Sequence, residues 1–64
     1  MAGYRLYFLN NAGHIVDAAE AMHDTDKEAI RWADGLRDER DLELWTGVRV
    51  VAKIPKRQNA QAEP

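Results

Sequence analysis

Two stretches of alternating apolar and polar residues flank a single helix-start signal, and this arrangement restricts the chain to a small mixed fold. Thr25 precedes Glu28 by three residues. That is the spacing of a capping box, in which each side chain binds a backbone N–H of the first helical turn. Residues 4–9, before this signal, and residues 48–54, after it, alternate with the period of a β-strand. The sequence therefore predicts strands on both sides of one central helix.

Turn-forming residues divide each flanking stretch into a hairpin. Asn10-Asn11-Ala12-Gly13 is typical of a tight turn, because Asn and Gly tolerate left-handed backbone conformations. Thr46-Gly47 predicts a second tight turn, and Pro55 ends the last strand because proline donates no backbone hydrogen bond. The predicted elements are strands at 4–9, 14–22, 42–45 and 48–54, and a helix from about residue 25 to about residue 37.

The predicted fold class is α+β, with the order ββαββ and one helix packed on one face of a four-stranded sheet. The first and fourth strands are the most apolar, so we expect them at the centre, which favours the order 2-1-4-3; the fully antiparallel order 2-1-3-4 is the alternative. This domain covers residues 4–54, and residues 55–64 are predicted to form a disordered polar tail. The element order resembles the small β-grasp domains, including the immunoglobulin-binding domain of protein G. Such a resemblance in topology implies no ligand.

The residues also resemble a group of short hypothetical proteins of alphaproteobacteria. Those proteins share a first strand Tyr-Arg-Leu-Tyr-Phe-Leu, a Gly-His-Ile segment after the turn, and Glu-Leu-Trp before a last strand that contains Gly and Arg. The matching segments here are residues 4–9, 13–15 and 43–45, followed by Gly47 and Arg49. The resemblance implies a bacterial origin and supports the domain limits, but it carries no catalytic residue.

Composition excludes several chemistries, and we expect no enzymatic activity, cofactor or small-molecule substrate. The 64 residues include neither cysteine nor serine, so thiol and serine nucleophiles are absent. His14 and His23 have opposite parity in a regular strand and would not converge on a metal. The acidic run at Asp24, Asp26 and Glu28 is explained by the start of the helix rather than by a cation. We therefore predict no catalytic and no metal site.

Hydropathy gives no indication of a membrane or export segment. No apolar run approaches the roughly 20 residues that span a bilayer. The residues after Met1 lack the basic-then-apolar pattern of a secretory signal. The expected location is the bacterial cytoplasm, without membrane contact.

One helix can cover only one face of a sheet, and the predicted uncovered face carries the candidate interaction surface. Strand alternation places Tyr7, Leu9, Trp45, Arg49 and Val51 on that face. Exposed apolar patches rimmed by charges usually mark interaction sites, and aromatic residues with Arg are enriched at interface centres. We therefore predict a small protein-interaction module that forms a homo-oligomer or docks a protein partner.

Two alternatives use the same face differently. As a single-stranded nucleic-acid binder, Tyr7 and Trp45 would stack bases while cationic residues hold phosphates. The candidate contacts for that role are Arg5, Tyr7, Trp45, Arg49 and Lys53. The acidic isoelectric point, about 5.5, disfavours this role because such domains are usually strongly basic. The other alternative is an inert domain without a specific ligand, in which Trp45 folds over the edge of its own sheet.

Overall fold

Four antiparallel strands and one helix make up the part of the chain that the computed structural model describes, residues 1–56. Along the chain the elements are β1 (Ala2–Leu9), β2 (Ile15–His23), α1 (Asp26–Gly35), β3 (Asp41–Thr46) and β4 (Arg49–Ile54). The predicted ββαββ fold with one helix on an open sheet is therefore confirmed. Most of the predicted polar tail, residues 57–64, lies outside the described residues.

The strand order is β2-β1-β3-β4, so the fully antiparallel alternative is the correct one and the favoured order 2-1-4-3 is wrong. The topology consequently differs from that of the protein G-like β-grasp domains, to which the favoured order pointed. The reason is that β3, which is as long as β4, places its large apolar residues on the helix side: Leu42 and Leu44 are almost completely covered. In β4 the apolar residues are divided between the two faces of the sheet, and Arg49 and Lys53 suit an edge strand.

The core lies between α1 and one face of the sheet. Tyr4, Leu6 and Phe8 alternate along β1, and each is buried against the helix side. The helix contributes two alanines, Ala29 and Ala33, which are completely buried and let it approach the sheet closely. This alternation leaves the residues between them, such as Tyr7, on the opposite side of β1.

Local signals account for where the elements begin and end. The Glu28 N–H donates to Thr25 Oγ1 at 3.2 Å, which confirms the predicted helix N-cap. The helix ends at Gly35, two residues earlier than the predicted end. In the turn between β1 and β2, the side-chain oxygen of Asn10 accepts hydrogen bonds from the backbone N–H groups of Ala12 and His14, and Gly13 has a φ of 84°.

The β3–β4 turn and a bulge beside it decide which residues of β4 face the helix. Thr46 pairs with Arg49, so the loop is Gly47-Val48, one residue later than predicted, and Gly47 has a φ of 60°. The register then shifts: Trp45 pairs with Val50, whereas Leu44 pairs with Ala52. Val51 is the extra residue of this bulge. An extra residue reverses the alternation along the strand, so β4 changes faces at Val51.

Candidate functional site

The side of the sheet opposite α1 is the candidate site, and we call it the open face. Residues that are directly opposite each other on neighbouring strands point to the same face of the sheet. Tyr4, Leu6, Phe8 and their partners face the helix, so the residues between them and the partners of those residues form the opposite face. The open face comprises Gly3, Arg5, Tyr7, Leu9, Ile15, Ala18, Glu20, Met22, Asp41, Glu43, Trp45, Val50 and Lys53.

Two aromatic rings lie together on the open face, as the sequence predicted. The Tyr7 and Trp45 ring centroids are 6.5 Å apart with an interplanar angle of 75°, an edge-to-face contact. Both residues are half-buried. The indole N–H of Trp45 donates to Glu43 Oε1 at 3.2 Å, which fixes the ring over β3. Leu9 also lies on this face and is half-buried, so three of the five predicted interaction residues are together.

Arg49 is not on the open face, contrary to the sequence-based expectation. Its guanidinium reaches the helix and donates twice to Asp26, from Nη1 to Oδ2 at 3.1 Å and from Nη2 to Oδ1 at 3.3 Å. Tyr4 donates its hydroxyl to the same carboxylate at 2.6 Å. The hydrogen bonds from Arg49 and then from Tyr4 hold the pKa of Asp26 below its ordinary value. Asp26 therefore joins α1, β1 and β4, in addition to its predicted place at the start of the helix.

Val51 is also misplaced by the sequence-based prediction, for the same physical reason. The bulge turns its side chain toward the helix side, where it packs against the core cluster. Val50 takes its place on the open face beside Trp45 and is 38% exposed. Strict alternation along residues 48–54 predicts the opposite assignment, and the sequence contains no signal that locates the bulge.

The charged residues of the open face are arranged in pairs across strands. Arg5 donates to Glu20 at 2.5 Å, and contact with Tyr7, followed by this bond to Glu20, raises the pKa of Arg5. Glu43 and Lys53 are Cα partners on β3 and β4. Asp41, the Cα partner of Leu9 at the start of β3, adds a further carboxylate. Two cations and three carboxylates thus occupy the face, which carries a formal net charge of -1.

A shallow concavity crosses one end of the open face. Its volume is about 510 Å³, and its walls include Arg5, Tyr7, Glu20, Met22 and Trp45. Met22 is 56% exposed. Apolar and polar residues alternate poorly along β2, so the sequence gives no indication that Met22 lies on this surface. The β1–β2 register, which pairs Gly3 with Met22, is what places this side chain there.

The two histidines lie far apart in the fold. His14 is in the β1–β2 turn, whereas His23 ends β2 on the helix side, with its ring 5.2 Å from that of Trp32 and 5.9 Å from that of Tyr4. Nε2 of His23 has no hydrogen-bond partner among residues 1–56. Within the same range, no three His, Asp or Glu side chains are grouped so that they could hold a metal ion.

No family model, curated protein or solved structure matches this chain. Across the described 56 residues, no helix is long and apolar enough to cross a bilayer.

Proposed function

We propose that the chain is a non-catalytic interaction module that associates with a second copy of itself through the open face. The observation that carries the proposal is the Tyr7–Trp45 aromatic pair, held half-buried on the side of the sheet that α1 does not cover. Aromatic side chains of this kind are the residues that most often dominate the binding energy of protein interfaces. Location in the bacterial cytoplasm stays a prediction from the sequence.

The charges of the open face support a second copy as the occupant. Arg5 and Glu20 form an ion pair, and Lys53 lies opposite Glu43, so the charges beside the aromatic pair are balanced. With Asp41 at the start of β3, the face carries a formal net charge of only -1, which repels an identical face weakly. A two-fold interface brings the same patch of both copies together, and such a patch must be compatible with itself.

The same charges argue against the nucleic-acid alternative. A phosphate backbone is held by cationic side chains, and three were expected here. Arg49 lies on the other side of the sheet, paired with Asp26, and Arg5 is paired with Glu20. Lys53 remains, directly opposite the carboxylate residue Glu43. Two aromatic rings on a face without net positive charge fit a protein surface better than a nucleic acid.

The size of the face predicts that this association is weak. Four strands about 4.8 Å apart, each contributing about six residues of 3.3 Å rise, cover on the order of 400 Å². A stable protein interface of standard size buries about 800 Å² on each partner. We therefore expect a reversible dimer that dissociates on dilution through the micromolar range.

The two tryptophans provide the test, because Trp45 lies on the open face and Trp32 packs at the edge of the core on the helix side. In the Trp32→Phe variant, Trp45 is the only indole, and its fluorescence should shift to the blue as protein concentration rises. In the matched Trp45→Phe variant, the emission of Trp32 should not change with concentration. Sedimentation velocity across the same range should show an association step in the wild type that doubles the mass of the sedimenting species, and the loss of this step in Trp45→Ala.

A wild type that sediments as a monomer throughout the micromolar and low millimolar range would overturn the proposal. Concentration-dependent emission from Trp32 alone would also contradict it, because the contact would then involve the helix side. A column of single-stranded DNA at low salt tests the nucleic-acid alternative, for which salt-dependent retention is the expected behaviour.

A further inference from the structure

The outer edge of β2 is the most exposed part of the sheet. β2 is an edge strand of nine residues, and none of these nine, all within the described range, is buried. Its Ile15, Val16 and Met22 are 57%, 52% and 56% exposed. An edge strand presents a row of backbone N–H and C=O groups to which another strand can bind.

The two edges of the sheet differ in how they are protected. β4 contains Arg49 and Lys53, has a bulge, and is followed directly by Pro55; these are the features that keep an edge from pairing. β2 contains no lysine, arginine, proline or glycine. Its protection is weaker: a bulge opposite Phe8 and Leu9, the Asp17 carboxylate that accepts the Ala18 N–H at 2.8 Å, and the charge of Glu20. On pairing, the Ala18 N–H would exchange Asp17 for a carbonyl of the second copy.

From this asymmetry we infer that β2 pairs antiparallel with β2 of a second copy, around a two-fold axis at Ala19, to form a continuous eight-stranded sheet. Residues that lie directly opposite each other in paired strands must point to the same side of the sheet. In a two-fold pairing of identical strands, this condition holds only when one residue lies opposite its own copy on the axis. Centring on Ala19 aligns residues 16–22 of both strands. Ile15 and His23 stay outside this pairing, because the bulge of β2 places them on opposite sides of the sheet. Val16 then lies opposite Met22, and Asp17 lies opposite Ala21.

Other registers are less favourable because of the side chains they bring together. Centring on Glu20 places two glutamates directly opposite each other, and like charges in that position destabilise a strand pair. Centring on Ala18 places Val16 against Glu20. Centring on Ala21 leaves Ile15 and Val16 beyond the end of the partner strand. The Ala19 register is therefore the one that pairs the exposed apolar residues and separates the carboxylates.

This interface goes beyond the open-face association: it is formed by the backbone edge of β2 and does not involve the Tyr7–Trp45 pair, although Met22 belongs to both surfaces. A two-fold axis perpendicular to the sheet leaves both open faces on the same side, still uncovered. If both interfaces form, two eight-stranded sheets would pack face to face as a tetramer. Each interface can therefore fail without the other, and the variants below distinguish them.

The natural absence of cysteine makes a cross-linking test direct. In the proposed register the two copies of an Ala19→Cys variant place their Cα atoms about 4.5–5.5 Å apart, within the range that a disulfide spans. The matched control is Ala21→Cys on the same strand and the same face. Its two copies lie four residues apart along the pair, roughly 13 Å, too far for a disulfide. Val48→Cys, at a position 95% exposed, measures cross-linking by random collision.

We expect rapid oxidation of the Ala19→Cys variant to a covalent dimer, with Ala21→Cys oxidising no faster than Val48→Cys. Cross-linking of Ala21→Cys without cross-linking of Ala19→Cys would overturn the register, and equal slow rates for all three variants would overturn edge pairing. The measurement is repeated in a Trp45→Ala background. A covalent dimer of the Ala19→Cys variant that persists there supports the edge interface independently of the open face.

A pair of double variants tests the register without a disulfide. Both double variants are made in the Trp45→Ala background, because Met22 also lies on the open face. V16K/M22E places opposite charges across the two-fold axis at both ends of the pairing, whereas V16K/M22K places like charges there. Both positions are more than half exposed, so the monomer fold should be equally stable in the two variants, which urea unfolding verifies. The dimer dissociation constant of V16K/M22K should be about tenfold or more higher than that of V16K/M22E. Equal dimerisation of the two variants would contradict the proposed pairing.

Discussion

Replacement of Leu44 by alanine tests the most deeply buried part of the fold. Leu44 is completely buried in the central strand β3, with Leu6 and Ala52 as its cross-strand partners. A buried Leu→Ala change costs about 2–5 kcal/mol, and the cost is largest where the neighbours cannot fill the cavity. The fully buried side chains of the helix are both alanines, which are too short to fill the cavity, so we expect a cost of about 3–5 kcal/mol.

That cost is large for a chain of this length. Native stability is typically about 0.05–0.15 kcal/mol per residue, which gives about 3–8 kcal/mol for the described residues. Leu44→Ala should therefore remove half or more of the free energy of unfolding, measured by urea denaturation with circular dichroism. Leu44→Val provides a graded comparison, with an expected cost of about 1 kcal/mol.

Val48→Ala is the control, because that side chain is 95% exposed in the β3–β4 turn and should change stability by less than about 0.5 kcal/mol. If Leu44→Ala and Val48→Ala cost the same, β3 is not at the centre of the sheet. The order β2-β1-β3-β4, and the explanation given for it, would then be refuted.

Three further predictions concern the bulge, the helix junction and the helix cap. Val51→Ala should lower the urea midpoint more than Val50→Ala, because Val51 packs on the core; the reverse ranking would mean that the strand does not change faces. Asp26 has a lowered pKa in the folded state. Its contribution to the free energy of unfolding is therefore fully present above the ordinary carboxyl pKa and is lost as the pH falls through the lowered value. The Asp26→Asn variant should therefore lose less stability than the wild type on acidification, measured by urea unfolding at a series of pH values. If the free energies of unfolding of the two proteins fall in parallel with pH, the pairing of Arg49 with Asp26 does not stabilise the fold. Thr25→Ala should cost about 1 kcal/mol in thermal or urea unfolding, because it removes the N-cap acceptor, whereas Thr25→Ser should cost little.

The elements of this fold are encoded locally, which is why the sequence predicted them. The Thr25 cap acts on an N–H three residues away, and the turn after Leu9 is closed by Asn10 within its own loop. Each is a short-range interaction between neighbours in the chain. The shared face of Tyr7 and Trp45 was predictable for a related reason: both lie at regular positions of strands, and parity places them on one face in either strand order. Their contact additionally requires β1 and β3 to be neighbours, which only the observed strand order provides.

The positions of Arg49 and Val51 were not predictable in this way. Their assignment depends on one extra residue in β4, and a bulge is accommodated by the pairing of two strands rather than by the residue itself. The contact of Arg49 with Asp26 joins residues 23 positions apart, and sequence periodicity contains no information about it.

The sequence alone determined the element types, the helix start, the open sheet with one helix and the absence of thiol and serine nucleophiles, because these follow from residue composition and from interactions within a few residues. Tertiary packing decided the strand order, the face of each β4 side chain and the contrast between the two sheet edges. These features depend on which strands compete most successfully for burial against α1. That competition involves the whole sheet at once, so no local segment of the chain specifies its outcome.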